Sequence, residues 1–138
     1  MPVNPLSPTF QRQRVLTGFG VPAQERLSRA HVLVIGAGGL ASTLLPVLAA
    51  AGVGSLTIVD DDTVAESNLH RQTMHTPGAI GRSKAVSATI RLASLAPDAE
   101  LRAVEGRFDA VTAEGLLHGV DVLVDASDNP ATVMLADR

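Results

Sequence analysis

The stretch HVLVIGAGGLASTLLPVLAAAGVGSLTIVDDD, residues 31–62, decides the fold of this chain. Residues 31–35 form a short apolar run with branched side chains, which is typical of a buried parallel strand. The glycine-rich turn GAGG follows at residues 36–39. Residues 40–51 are rich in Ala and Leu and predict a buried helix, and residues 55–59 predict a second strand. The order of strand, glycine turn, helix and strand predicts a parallel sheet of the α/β class.

Three glycines and one acid give this unit the features of a nucleotide site. Gly36, Gly38 and Gly39 let the backbone approach a phosphate, and the N–H groups and dipole of a helix N-terminus favour its negative charge. Asp60 closes the second strand about 24 residues after Gly36, near the spacing at which a carboxylate binds a ribose hydroxyl. A tight turn without a ligand is the alternative, but the flanking elements and the acid favour a nucleotide.

Composition narrows the function further. The chain has 138 residues, 46% hydrophobic and 2% aromatic, with a net charge of −3 and no cysteine. Such a chain can bury one sizeable core, and it lacks the aromatic and basic surface that attracts nucleic acid or an anionic membrane. The absence of cysteine excludes disulfides, thiolate zinc sites and a catalytic thiol within these residues. The longest apolar run is too short to span a bilayer and no signal pattern precedes it, so we expect a cytoplasmic protein.

The pattern predicts an N-terminal helical arm over residues 1–29 and one domain over residues 30–138. The arm has no strand to anchor it, so we expect it to be free to pack on a second subunit. Its two arginines are by themselves typical of a solvated face. The chain stops within a helix, and we expect it to be part of a longer protein. The other predicted elements are helices over residues 9–16, 22–29, 81–95 and 112–117, strands over 100–104 and 121–125, the latter buried, and a helix from Pro130.

Acidic side chains follow two of the predicted strands. Residues 60–62 are three successive aspartates at the end of the second strand, and Asp128 follows the fourth. Because ligands of open parallel sheets bind outside the carboxyl ends of the strands, we expect these acids on the same edge as the glycine turn.

A long polar segment, residues 63–81, has neither a helical nor an alternating period and is therefore a functional loop or a disordered one. We favour a functional role for Arg71. His70 and His75 have no carboxylate or thiol partner at ligand spacing, so we interpret them as ordinary loop residues rather than metal ligands. Lys84 stands in the first turn of the next predicted helix, where a cation is disfavoured unless an anion is near. We interpret Arg71 and Lys84 as polar positions off the core, whose replacement by alanine should change folding little.

Four motifs carry a resemblance to a known family. They are GAGGLAS at 36–42, AGVGSLTIVDDDTVAESNLHRQ at 51–72, IGRSKA at 80–85 and DASDN at 125–129. Together they resemble the ThiF/MoeB/HesA adenylyltransferases, relatives of ubiquitin-activating enzymes, from Phe10 to about residue 129. The resemblance implies a Rossmann-like, mostly parallel sheet with helices on both faces, preceded by the arm, with the second half of the family fold absent.

The resemblance also implies a reaction and its residues. The family uses ATP and Mg²⁺ to adenylate the C-terminal carboxylate of a small ubiquitin-fold sulfur-carrier protein with a Gly-Gly tail, as in molybdopterin or thiamine biosynthesis. Lysine and arginine would offset phosphate charge, and an arginine of the arm would complete the site of the other subunit in a homodimer. The implied residues are the nucleotide-binding Gly36, Gly38, Gly39, Asp60 (ribose), Asp62 and Gln72, the phosphate-binding Asn68, Arg71 and Lys84, the magnesium ligand Asp128, and Arg12 acting in trans.

The chain departs from the family pattern in places. Phe10 stands where the family has tyrosine, and Val133 where it commonly has arginine. The groove for the carrier tail and any zinc site of four cysteines would belong to the missing C-terminal part. A nicotinamide-dependent oxidoreductase would use the glycine turn and Asp60 but gives no reason for the basic residues. A non-catalytic subunit that keeps the fold is the third alternative. Because the second half of the family fold is missing, we expect these residues alone to form only part of an active site.

Overall fold

Four parallel strands form one sheet in the computed structural model, which describes residues 2–138. The strands are β1 (His31–Ile35), β2 (Ser55–Asp60), β3 (Glu100–Glu105) and β4 (Val122–Asp125), and their order across the sheet is β3-β2-β1-β4. Every pairing is parallel. The predicted α/β class and the four predicted strands are therefore confirmed, with ends that differ by a residue at most.

Helices cover both faces of the sheet, as expected. On one face the helices Gly39–Ala51 and Lys84–Leu95 pack against the apolar side chains of β1 and β2. On the other face the helices Ala113–Leu117 and Pro130–Ala136 cover Leu33, Ile35 and Val59. Among the described residues, no helix is both long enough and apolar enough to cross a membrane. The helices are α1 (Gln11–Arg14), α2 (Gly20–Arg29), α3 (Gly39–Ala51), α4 (Lys84–Leu95), α5 (Ala113–Leu117) and α6 (Pro130–Ala136).

The two central strands are buried and the fourth is not. Leu33 and Val34 in β1 and Leu56 and Ile58 in β2 are fully buried. Val122 in β4 is 50% exposed, because β4 lies at the edge of the sheet and pairs only with β1. The expectation that the fourth strand is buried, based on its apolar sequence, is wrong for this reason.

The helix predicted from residue 81 begins three residues later, at Lys84. Gly81 adopts a φ of +83°, which is outside the range of an α-helix, and residues 63 and 83 form a short antiparallel bridge. The Ser83 side chain then accepts a hydrogen bond from the N–H of Val86 and caps the helix. The segment of residues 81–83 thus places the first turn of α4 against the end of β2.

The N-terminal arm is anchored to its own domain, so the expectation of a free arm is wrong. The amides of Gln13 and Gln24 donate to the carbonyl of Ala51 at 2.6 and 2.9 Å. Phe10 is buried against Gly52, where an added Cβ would lie 2.8 Å from the ring. Of the predicted helix 9–16, only Gln11–Arg14 is α-helical, after a 3₁₀ turn over Pro8–Phe10.

Candidate functional site

A cleft of about 890 Å³ opens where the carboxyl ends of the strands meet the glycine turn. The loops after β1, β2, β3 and β4 all border it, as the rule for open parallel sheets predicts. Nine of the eleven residues singled out from the sequence line this cleft. They are Gly36, Gly38, Gly39, Asp60, Asp62, Arg71, Gln72, Lys84 and Asp128.

The glycines of the turn have different roles. Gly36 has a φ of +97°, and a Cβ there would lie 2.9 Å from the carbonyl oxygen of Ala126. It therefore allows the turn to pack directly on the loop after β4. A Cβ on Gly38 or Gly39 would meet nothing closer than 3.5 and 3.8 Å. A Cβ at either position would make only ordinary van der Waals contacts, so packing does not require these two glycines, which line the cleft at the N-terminus of α3.

Asp60 ties the end of β2 to the glycine turn. Its carboxylate accepts hydrogen bonds from the N–H of Ala37 at 2.8 Å and from the N–H of Asp62 at 2.7 Å. Each carboxylate oxygen can accept a further hydrogen bond. Asp60 thus fixes the turn and still has acceptor capacity at the cleft, which is what a ribose contact would need.

Lys84 is the best buried of the charged cleft residues. It is 5% exposed, and its Nζ lies 3.3 Å from a carboxylate oxygen of Asp62, whose side chain is 74% exposed. The backbone N–H of Lys84 donates to the carbonyl of Asp62 at 2.9 Å. The expectation that Lys84 lies off the core is wrong, since the residue is almost fully enclosed although it lines the cleft.

The polar loop positions Arg71 and Gln72 differently. Arg71 is exposed at the cleft and donates to the Asn68 side chain at 3.1 Å. Asn68 does not line the cleft and contacts it only through Arg71. Gln72 is buried beside Gly38, and within the described residues its Oε1 has no hydrogen-bond partner. A buried acceptor of this kind is ordinarily satisfied by water or ligand.

The loop after β4 presents one carboxylate to the cleft. Asp128 is exposed, and its neighbour Asn129 caps α6 by accepting from the N–H of Ala131 at 3.0 Å. Across residues 2–138 there is no cluster of three or more acidic or histidine side chains that could hold a metal. A cation at Asp128 would therefore take its other ligands from water and from a bound phosphate.

Sequence reasoning missed the segment after β3. Arg107 lines the cleft and forms an ion pair with Asp61. The hydrogen bond from Arg107 holds the pKa of the Asp61 carboxyl below its ordinary value and raises the pKa of the guanidinium. The signal was available, because this segment also follows the carboxyl end of a strand. The other missed lining residues include Phe108, Asp109, Ser127 and Arg138.

Arg12 lies apart from this cleft. It is exposed on α1, in the arm that packs at the C-terminal end of α3, and it does not line the cleft of its own chain.

His75, interpreted from the sequence as an ordinary loop residue, is 5% exposed and hydrogen-bonded to the glycine turn and to α4.

Fold and cleft together define a Rossmann-like α/β protein with a polar site at the carboxyl ends of its strands. The model of the ThiF family matches residues 10–138, and the chain belongs to this family. This match confirms the resemblance to the ThiF family that the sequence motifs indicated.

The chain is also similar to named relatives. It is 43% identical to the sulfur carrier protein adenylyltransferase of Thermus thermophilus, over 93% of this chain and 47% of that protein. It is 42% identical to the molybdopterin-synthase adenylyltransferase of Salmonella typhimurium, over 87% of this chain and 48% of that protein. The chain thus spans less than half the length of these relatives.

Among solved structures, the chain resembles the E. coli tRNA N6-threonylcarbamoyladenosine dehydratase TcdA in complex with ATP. The TM-score is 0.76 at 26% identity, covering 91% of this chain and 53% of that chain.

Proposed function

We propose that the protein adenylates the C-terminal carboxylate of a small ubiquitin-fold sulfur-carrier protein, with ATP as the adenylyl donor. The observation that carries this proposal is the cleft itself. It brings the glycine turn, the basic side chains of Arg71 and Lys84 and the exposed carboxylate of Asp128 to one edge of the sheet. The adenylyltransferase relatives support the reaction class, and molybdopterin or thiamine biosynthesis would supply a carrier of this kind in the cytoplasm.

The reaction explains why basic side chains are needed in the cleft. A carboxylate oxygen of the carrier attacks the α-phosphorus of ATP, an acyl-adenylate forms, and pyrophosphate leaves with the broken P–O bond. Both reactants are anions, so the site must offset their charge and hold them in line. Arg71 and Lys84 supply that charge in this chain. No protein nucleophile is required, which is compatible with a chain that lacks cysteine.

The nucleotide would lie across the glycine turn. The N–H groups at the start of α3 and the lack of side chains at the cleft-lining Gly38 and Gly39 suit its phosphates. Asp60 would accept from a ribose hydroxyl. Asn68 would hold Arg71 in its phosphate-binding position, and the buried Oε1 of Gln72 would gain a partner on the nucleotide side.

Magnesium fits the same cleft through Asp128. The exposed carboxylate of this residue is the hard oxygen ligand that Mg²⁺ prefers, and bound phosphates would complete the coordination. When bound, the ion would neutralise phosphate charge. Zinc has no place within these residues, because thiolate sites need cysteines that the chain does not have.

The proposal includes a homodimer in which Arg12 completes the site of the partner subunit. Arg12 is exposed and lies outside its own cleft, on an arm held firmly by Gln13 and Gln24. A guanidinium presented in this way can bind phosphate oxygens of another copy bidentately. The arm therefore acts as a rigid support rather than a mobile strap.

Intact-mass measurement of the carrier protein tests the proposal. We expect the full-length protein, ATP and Mg²⁺ to add one AMP to a carrier that ends in Gly-Gly, and to add nothing to a carrier lacking its last glycine. Binding of NAD in preference to ATP would instead support the oxidoreductase alternative. Binding of ATP without any adenylate would support the non-catalytic subunit.

A further inference from the structure

The buried His75 joins the glycine turn to α4, and nothing in the proposed reaction uses it. Its Nε2 lies 2.7 Å from the carbonyl oxygen of Ala37, and its Nδ1 lies 2.8 Å from the hydroxyl of Ser87. Both neighbours are themselves buried. Because a carbonyl oxygen only accepts, Nε2 carries the proton, and in the neutral ring Nδ1 accepts from the Ser87 hydroxyl.

The bond to Ala37 determines where the next N–H points. The carbonyl of Ala37 and the N–H of Gly38 belong to one planar peptide, and no cis peptide occurs among the described residues. In a trans peptide these two groups point in opposite directions. Since the carbonyl points into the protein towards His75, the N–H of Gly38 points outward, on the side where Gly38 lines the cleft.

Without this bond the peptide could turn over. Gly38 has a φ of −98°, and rotation of the Ala37–Gly38 peptide would bring φ into the positive region that glycine tolerates. The rotated peptide would present its carbonyl oxygen to the cleft, where it would repel a phosphate. The carbonyl of Gly38 needs no such restraint from the loop, because it accepts from the N–H and the hydroxyl of Ser42 in α3.

We infer that His75 is a positioning residue that holds the Ala37–Gly38 peptide with its N–H towards the phosphates of the nucleotide. The inference rests on the proposed ATP site. Asp60 holds the N–H of Ala37 and His75 holds its carbonyl, so this residue is fixed from both sides. The Ser87 contact connects the same histidine to the helix that begins with Lys84, so turn and lysine are held in one arrangement.

Two substitutions separate the two ring nitrogens. His75→Gln places an amide N–H near the position of Nε2 and can still donate to Ala37. His75→Asn is shorter and can contact only Ser87. We expect His75→Asn to weaken ATP binding at least about tenfold, the scale of one lost buried hydrogen bond, while adenosine binding changes little because adenosine has no phosphates. His75→Gln should restore most of the affinity for ATP.

Isothermal titration of the full-length protein with ATP and with adenosine makes the comparison. In the nucleotide-free protein, the ¹⁵N resonance of Gly38 should also show exchange broadening in His75→Asn and not in His75→Gln. Equal losses of ATP and adenosine affinity, or unchanged ATP affinity in His75→Asn, would overturn the role of His75. If the wild-type protein did not bind ATP, the proposed function itself would fail, and this inference with it.

Discussion

Replacing Lys84 separates its role in the cleft from its role in the fold. The side chain is 7% exposed, whereas its partner Asp62 is 74% exposed. Lys84→Met keeps the enclosed stem and removes the charge. Because Asp62 stays hydrated when its partner is lost, no buried charge is left unpaired, and we expect the free energy of unfolding to change by less than about 1 kcal/mol. The adenylation rate should fall about 100-fold, the scale of losing one electrostatic stabiliser of a phosphoryl transition state.

Lys84→Ala should behave differently. It also removes three enclosed methylene groups, and at about 0.8 kcal/mol for each one the loss of stability should be about 2 kcal/mol. Both variants should lose about 100-fold in adenylation rate, but only the alanine variant should be destabilised. Arg91→Met is the matched control, because Arg91 is an exposed cation on the same helix and does not line the cleft.

The assay pairs urea unfolding with carrier-dependent adenylation for these three variants. If Lys84→Met kept its rate within about threefold of the wild type, the assignment of Lys84 to the phosphates would be refuted. If Lys84→Met lost as much stability as Lys84→Ala, the charge itself would be needed for folding. The sequence alone predicts unchanged folding in Lys84→Ala, whereas the burial of Lys84 predicts a loss of stability.

Three further perturbations address other parts of the site. Gly36→Ala should destabilise the protein by more than about 2 kcal/mol in urea unfolding, because residue 36 has a left-handed conformation and its new Cβ would lie 2.9 Å from a carbonyl oxygen. Wild-type stability of this variant would contradict the expectation. Arg12→Ala and Asp128→Ala homodimers should both be inactive. If Arg12 acts in trans, mixing them should restore about a quarter of the wild-type rate, because about half of the dimers are then mixed and each mixed dimer has one complete site. No recovery after demonstrated subunit exchange would exclude this role of Arg12. The pKa of the Asp61 carboxyl, followed by ¹³C NMR, should lie below its ordinary value, and Arg107→Ala should raise this pKa. The ion pair is thus intact at neutral pH and is lost as the pH falls through the lowered pKa of Asp61. An unchanged Asp61 titration in Arg107→Ala would show that Arg107 does not lower this pKa.

The regular part of the fold could be predicted because its pattern is local. The apolar runs of β1 and β2, the glycine turn and the alanine-rich α3 each identify themselves within a short window, and the structure confirms all of them. The rule that ligands bind at the carboxyl ends of parallel strands then brought Asp60 and Asp128 to one edge without any knowledge of their contacts.

The rest depends on contacts between distant segments. Nothing near Lys84 or His75 in the sequence shows that these polar side chains are buried, because their neighbours come from β2, α4 and the glycine turn. The half-exposed β4 has the same apolar pattern as β1, and only its place at the edge of the sheet distinguishes the two strands. The ion pair of Asp61 with Arg107 joins two different strand ends; the strand-end rule places both segments at the cleft but does not predict which of their side chains pair.

Exchange of labelled pyrophosphate into ATP tests the central claim most directly, because it requires reversible attack on the α-phosphorus. The account predicts that the full-length protein catalyses exchange only with Mg²⁺ and a carrier whose C-terminal carboxylate is free. It also predicts that Arg71→Ala lowers the exchange rate about 100-fold. No exchange with any ubiquitin-fold carrier, or undiminished exchange in Arg71→Ala, would contradict the account.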